Sequence, residues 1–530
     1  MLILARPPSQ LFATASGFLG IAEKQHLYKP MGMDTRKALS ELLAHQKRID
    51  RLSAAAGILF WDEQVNLPPG SAAFRAEQNG YYAELLHRES TLPEVGQWLD
   101  TLEADRDSLS DDERVIVKEA RREYDREVKL PGEFVARRSK ARSESFHAWV
   151  EARKKNDFAS FAPHLRKALD FSREEAEYQD AEDAYDFFVD VYDPGMSTAV
   201  IDPLFAKLSE GLRPILDTIL SAEDTTPPDL FRGFPVDGQE AFLREVVAAF
   251  GFDFNVGRLD RAVHPFCGGH PLDTRMTTRY DPDNPLDSLS SAMHETGHAL
   301  YEQGLPTDYP GTALSHAAGM AAHESQSRIW ENQVGRGRPF WRHWEPRYRA
   351  FFKEQLAKVD SDQLYRAINR VAVTPIRVDA DEVTYNLHII LRYGLERDLF
   401  AGRVAIGDLP EAWNERSRDL LGFTPASDTE GCLQDVHWCE GMFGYFPSYT
   451  LGNLLAAQLW YAAKDTLPDL EEDFGRGDYT RLLGWLRENV HSKARRENAN
   501  GLAERATGRP LGTEALLRYL RERYLPLYTT

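Results

Sequence analysis

Only three cysteines, Cys267, Cys432 and Cys439, occur in 530 residues. That number is odd and too small to staple a secreted scaffold, so a reducing, cytoplasmic setting is expected. No stretch reaches 18 consecutive apolar residues, which excludes a bilayer-spanning helix. Positive charge is also in short supply: 63 Lys and Arg stand against 83 Asp and Glu, for a net charge of -20. A protein whose main work is gripping nucleic acid or an anionic membrane is thereby demoted. Tandem repeats, low-complexity tracts and long Gly/Ser linkers are missing too, which favours one large body over tethered modules.

Acids are nearly absent from residues 1–32, after which Met33 opens a helical pattern. This segment is expected to be a non-native or flexible extension, with Met31 or Met33 as the true start; the pattern of a signal peptide is only fragmentary. Residues 33–530 are expected to form a single catalytic domain.

What is present is helical periodicity. Leu204, Leu208, Leu212, Ile215 and Ile219 recur in steps of three or four, as do Phe158, Phe161, Leu165 and Leu169, so the fold is mainly α. Interleaved charges between Ser108 and Tyr185 read as solvated helix faces with supporting ion pairs. Pro68-Pro69-Gly70, Pro131-Gly132, Pro194-Gly195 and Pro227-Pro228 read as turns. The pattern breaks at Asp273–Tyr280, whose threonines and closing aromatic predict a short strand. Asp287 or Ser288 then caps a helix running to about Gln303, stopped by Gly304-Leu305-Pro306.

That helix carries His294-Glu295-Thr296-Gly297-His298. Two imidazoles four positions apart share one helix face and can hold one ion, while Glu295 between them can take a proton from water. A catalytic zinc needs three protein ligands and an open position. His316, His323 and Glu324 are the downstream candidates. A third histidine six residues after His298 is ruled out, because Gly304 stands there. Glu324 is preferred, since residues 321–332 read as a second helix that a loop can fold back onto the first. His323 remains an alternative ligand or a supporting partner, and spacing alone does not separate the two.

Further motifs extend the pattern: Trp61-Asp62-Glu63 through Pro68, Asp273-x-Arg275-x-Thr277, His323-Glu324-Ser325-Gln326, Ile376-Arg377-x-x-Ala380-Asp381, Gln434-Asp435-x-His437-Trp438 and Gly444-Tyr445-Phe446-Pro447-Ser448-Tyr449. In this order they resemble the carboxypeptidase Taq family of thermostable metallocarboxypeptidases from about Met33 to the end. The resemblance implies a large helical zinc-peptidase fold with a deep central groove and a small β-sheet beside the active-site helix. It implies Zn2+, with Co2+ serving in some members, on His294, His298 and Glu324, and Glu295 as general base. It further implies release of single residues from peptides with a free C-terminus, broad specificity, and a homodimer. An endo- or oligopeptidase on the same fold is the alternative.

A carboxypeptidase must read a carboxylate, for which a buried arginine is suited. Arg377 is the first choice, expected to begin a helix after Pro375 whose polar ladder includes Asp381, Thr384, Tyr385 and His388; a simple Arg377–Asp381 ion pair is the competing reading. Tyr445 or Tyr449, with His437, is expected to contact substrate or the oxyanion. His264 is a weaker substrate candidate, while Asp273, Arg275, Gln434 and Asp435 are expected to support the site.

Overall fold

Asp34 Oδ2 accepts a hydrogen bond from Lys37 N (3.2 Å) and so starts the Thr35–Val65 helix, the first element of a computed structural model that describes residues 33–223, 226 and 230–529. The expected N-terminal extension and the Pro227-Pro228 turn lie outside the described residues. The Thr35–Val65 helix packs with the helices Pro93–Ala104 and Asp111–Val128 around Leu42, Leu99, Leu102 and Val117, an apolar cluster separate from the main core. A Ser110–Glu113 capping box starts the last of these helices.

Three strands form the sheet, in the order β1 (Gly257–Arg261), β3 (Asp273–Thr278), β2 (Cys267–His270), with β1 parallel and β2 antiparallel to β3. The expected strand is β3, two residues shorter than its reading. β1 carries no sequence signal because three of its five residues are charged. Arg258 and Asp260 pair with each other at 2.6 and 2.8 Å. Arg258 and Arg275 lie over the Trp61 ring, at 4.5 and 4.6 Å from its centroid, which joins the first helix to the sheet.

The motif helix runs Pro285–Glu302 with Asn284 at its N-cap. The expected caps do other work: Asp287 binds Arg279 (2.6 and 3.1 Å), and Ser288 donates to Gln239 Oε1 (2.7 Å). Pro285 supplies the helical φ in their place. This helix packs on β3 and on the Met320–Arg328 helix, which continues as a π-helical turn over Ile329–Val334. Behind it lies the Phe446–Thr466 helix, apolar nearly all round and buried over most of its length. Gly444 (φ 77°) makes the turn into this helix; a Cβ there would sit 2.7 Å from the Phe188 backbone.

A cavity of about 860 Å³ runs between the first helix, β2 and the ends of the two metal-motif helices, with Asp50, Trp61, Gly269, Glu302, Gly319 and His323 on its walls. It lies beside the sheet, where a groove is expected, and Glu302 and His323 line it rather than His294, His298 or Glu324. Charged residues of the Asp111–Val128 helix line it too: Glu119, Arg122, Glu123 and Arg126. Arg121, in contrast, meets Asp100, Glu103 and Asp125 on the outer face, as the periodicity predicts.

Candidate metal centre and active site

His294 and His298 are buried on one face of the motif helix, their Nε2 atoms 3.1 Å apart. Glu324 Oε2 comes from the facing helix to 3.5 Å from each. Two glycines permit this approach. A Cβ on Gly297 would stand 2.4 Å from Gln326 O, and one on Gly452 would stand 2.6 Å from Glu324 Cβ. The Gly297 between the two histidines therefore lets the helices close until a carboxylate reaches the imidazoles.

Each donor is aimed by a partner behind it. His294 Nδ1 lies 2.7 Å from Glu331 Oε2, and His298 Nδ1 lies 3.0 Å from the His323 carbonyl oxygen, which leaves both Nε2 atoms as acceptors. Arg328 Nε donates to Glu324 Oε1 (2.7 Å) and Arg328 Nη1 to Glu331 Oε2 (3.2 Å), so one guanidinium spans both carboxylates. The π-helical turn, closed by Gly335 N donating to Trp330 O (3.0 Å), places Glu331 behind His294.

The electrostatics follow from burial and these partners. Burial opposes ionisation of Glu324, but Arg328 and His294 outweigh it and hold the carboxyl well below its ordinary range. Glu331 is held down to about 2 in the same way, against burial, by Arg328 and His294. Burial pulls His298 down to about 3. At His294 burial also disfavours the charged ring, yet Glu324 and Glu331 prevail and raise it to about 9. Three acceptor atoms facing one point require a cation or a proton among them, and two imidazole nitrogens with one carboxylate oxygen match a zinc donor set. Glu295 is buried beside them with Oε1 lacking any hydrogen bond, and burial pushes its carboxyl up to about 7.

His323 does not join the donor group: its Nδ1 is 2.7 Å from His298 Nδ1, on the side of that ring away from His294 and Glu324. His316 is exposed on the cavity wall. His264 is exposed in the loop between β1 and β2 and makes no hydrogen bond with the cluster. Arg377 is buried, but not on the expected helix. It lies in a short turn, Arg377–Asp379, and the following helix begins at Tyr385. Asp381 is occupied in the turn before that helix, with Oδ1 accepting from Val383 N (2.8 Å) and Thr384 N (3.0 Å), so no Arg377–Asp381 pair forms.

Arg377 turns instead to Asp435. Its Nε donates to Asp435 Oδ1 (2.9 Å) and its Nη1 to Tyr385 Oη (3.1 Å), while Gln434 Oε1 accepts from Arg377 N (2.8 Å). Arg392 Nε takes the other Asp435 oxygen at 2.6 Å. Two buried guanidiniums thus share one carboxylate, which leaves a positive charge in excess. Burial would lower Arg377, but Asp435 raises it above its ordinary value, so it stays charged. The Tyr449 ring lies 5.1 Å from the Arg377 guanidinium, and Tyr449 Oη is 3.2 Å from His437 Nε2. Burial, then Arg377, keeps His437 neutral. Tyr445 packs edge-on against Tyr449 (5.2 Å) and Tyr192 (4.9 Å).

Tyr385 links the two halves of the site, since its ring also lies 4.5 Å under the Arg328 guanidinium. Sequence reasoning passed over Arg328 and Glu331. Their spacing of four and seven from Glu324 places all three on one helix face, a signal that was available.

Residues 41–524 match the family described as Carboxypeptidase Taq (M32) metallopeptidase. The chain is 40% identical over 511 residues to Thermostable carboxypeptidase 1 of Thermus thermophilus, covering 94% of this chain and 100% of that relative. It is 37% identical over 490 residues to Carboxypeptidase 1 of Bacillus subtilis, covering 91% and 97%. Among solved structures, an M32 carboxypeptidase from Deinococcus radiodurans R1 is similar with a TM-score of 0.90 at 41% identity, covering 93% of this chain and 100% of that one.

Proposed function

The chain belongs to the carboxypeptidase Taq (M32) family of metallopeptidases and is a peptide hydrolase, and from that premise we propose that it releases C-terminal residues from peptides at the His294, His298 and Glu324 centre. The observation that carries this reading is the convergence of those three buried donor atoms beside Glu295. Zn2+ is the metal proposed, with Co2+ able to replace it. When bound there, a divalent ion would polarise the scissile carbonyl and lower the pKa of a coordinated water toward about 7.

Glu295 is the general base. Its raised pKa suits a group that takes a proton from the attacking water and returns it to the leaving amine nitrogen near neutral pH. Arg377, charged and anchored on Asp435, receives the substrate carboxylate. Tyr449, aligned by His437, contacts the reacting end of the peptide, and Tyr445 supports it from the side. His264 stands apart from this arrangement and serves at most the outer groove. The reading includes broad specificity, a homodimer and a cytoplasmic setting. The last is supported by three buried cysteines that form no disulfide. Among the described residues no helix is long and apolar enough to cross a membrane.

The test pairs a peptide with its C-terminally amidated twin, both incubated with zinc-loaded protein. Stepwise loss of residues from the free acid alone is expected. Equal cleavage of both, or internal fragments, would replace the exopeptidase reading with an oligopeptidase.

A further inference from the structure

Behind His298 stands a chain of two more groups. His323 Nδ1 is 2.7 Å from His298 Nδ1, and the His323 carbonyl oxygen is 3.0 Å from that same nitrogen. The other His323 nitrogen, Nε2, is 2.7 Å from Glu302 Oε1. Glu302 lies one turn beyond His298 on the motif helix, while His323 precedes Glu324 on the facing helix. Both rings are buried, and Tyr301 packs against His323 at 5.3 Å between centroids. The rings are therefore held against turning to other partners.

With both rings neutral, these contacts leave one consistent placement of protons. A carboxylate only accepts, so His323 Nε2 carries the N–H and its Nδ1 is bare when the ring is neutral. His298 Nδ1 then faces two acceptors, the bare nitrogen and the carbonyl oxygen, and must carry a proton of its own. That leaves a lone pair on His298 Nε2, the atom facing His294 Nε2 and Glu324 Oε2. Which nitrogen of a metal-binding histidine is free is set by the bond made by the other nitrogen.

We propose that Glu302 is a positioning residue for the metal: through His323 it fixes the His298 tautomer that presents a bare Nε2. The proposal rests on the reading of His294, His298 and Glu324 as ligands. Without an acceptor at position 302, His323 gains a second tautomer with its proton on Nδ1. That proton confronts His298 Nδ1–H at 2.7 Å and favours the His298 form with a protonated, non-binding Nε2. The Glu302 side chain is 16% exposed at the cavity wall, where an apolar replacement can be accommodated.

Zinc dissociation constants, measured by chelator competition for wild type, Glu302→Gln, Glu302→Leu and His298→Ala, test this together with imidazole 15N shifts. Glu302→Leu should weaken zinc by about 10–100-fold and shift His323 toward its Nδ1–H form. Glu302→Gln, whose amide oxygen still accepts, should stay close to wild type. Wild-type affinity in Glu302→Leu, alongside lost binding in His298→Ala, would overturn the positioning role and leave the ligand reading standing. Wild-type affinity in His298→Ala would instead remove the ligand reading. Should the leucine variant fail to fold, the 15N spectrum of wild type decides: a protonated His323 Nδ1 would overturn the proposal.

Discussion

Glu331 Oε2 sits 2.7 Å from His294 Nδ1 and accepts from Arg328 Nη1 at 3.2 Å, while the same arginine holds Glu324 Oε1 at 2.7 Å. One guanidinium thus fixes both the carboxylate that faces the two imidazole Nε2 atoms and the carboxylate that aims one of those rings. Replacing Glu331 with leucine should weaken zinc by about 10–100-fold, read by chelator competition. Unchanged affinity would show that His294 is oriented by packing alone.

The closeness of the two helices that carry His294, His298 and Glu324 depends on Gly297, while Gly452 lets the Phe446–Thr466 helix back Glu324. A methyl on Gly297 would meet the Gln326 carbonyl at 2.4 Å, so Gly297→Ala must push backbone, not a flexible side chain. We expect a cost of about 1–3 kcal/mol, seen as a lowered Tm, together with substoichiometric zinc as Glu324 is displaced from the histidines. A variant with full zinc content and wild-type Tm would contradict this account of the helix contact.

Arg377 should separate recognition of the carboxylate from the chemical step. Losing a charge-assisted bond costs about 1.5–3 kcal/mol, or roughly 10–100-fold, and Arg377→Met should show it in kcat/KM for the free-acid peptide. Discrimination against the amidated peptide should fall in parallel, with zinc content unchanged. Asp435→Asn should be worse for the fold, because it strands two buried guanidiniums, a loss of about 3–5 kcal/mol. Thermal unfolding of both variants separates these outcomes.

Glu396 makes stability depend on pH. It is buried, accepts from Trp438 Nε1 (2.7 Å), Tyr185 Oη (2.9 Å) and Gly444 N (3.0 Å), and burial pushes it up to about 7. In the folded state the carboxyl therefore holds its proton up to about pH 7, whereas in the unfolded chain it ionises near 4.5. Folding binds the proton, so this group favours the fold fully below its unfolded pKa. The contribution is lost as pH rises toward 7, by up to about 3 kcal/mol. The Tm difference between wild type and Glu396→Gln should accordingly drift against wild type between about pH 5 and 7 and level off above. A difference independent of pH would show that Glu396 is not held protonated.

Legibility from sequence followed the range of the interactions. His294, Glu295 and His298 were readable because a helix turn sets their spacing, and the helical class was readable from periodicity. Glu324 was reachable because a helix and a loop can return a carboxylate, although spacing alone did not separate it from His323. Arg377 was misplaced as an element: it stands in a short turn, Asp381 accepts from Val383 N and Thr384 N in the next turn, and the helix begins only at Tyr385, a local competition for backbone donors that periodicity does not register. Its pairing with Asp435, 58 residues on, is tertiary and left no local trace. β1 was invisible because its charged side chains find partners of their own, Arg258 with Asp260 and Trp61 and Arg261 with Glu240, rather than alternating with apolar ones.

Anomalous diffraction from crystals of the zinc-loaded protein tests the centre most directly. The account predicts a single strong peak about 2.0–2.2 Å from His294 Nε2, His298 Nε2 and a Glu324 carboxylate oxygen, with Glu295 close by but not coordinated. A peak elsewhere, or one at the two histidines that Glu324 does not reach, would contradict it.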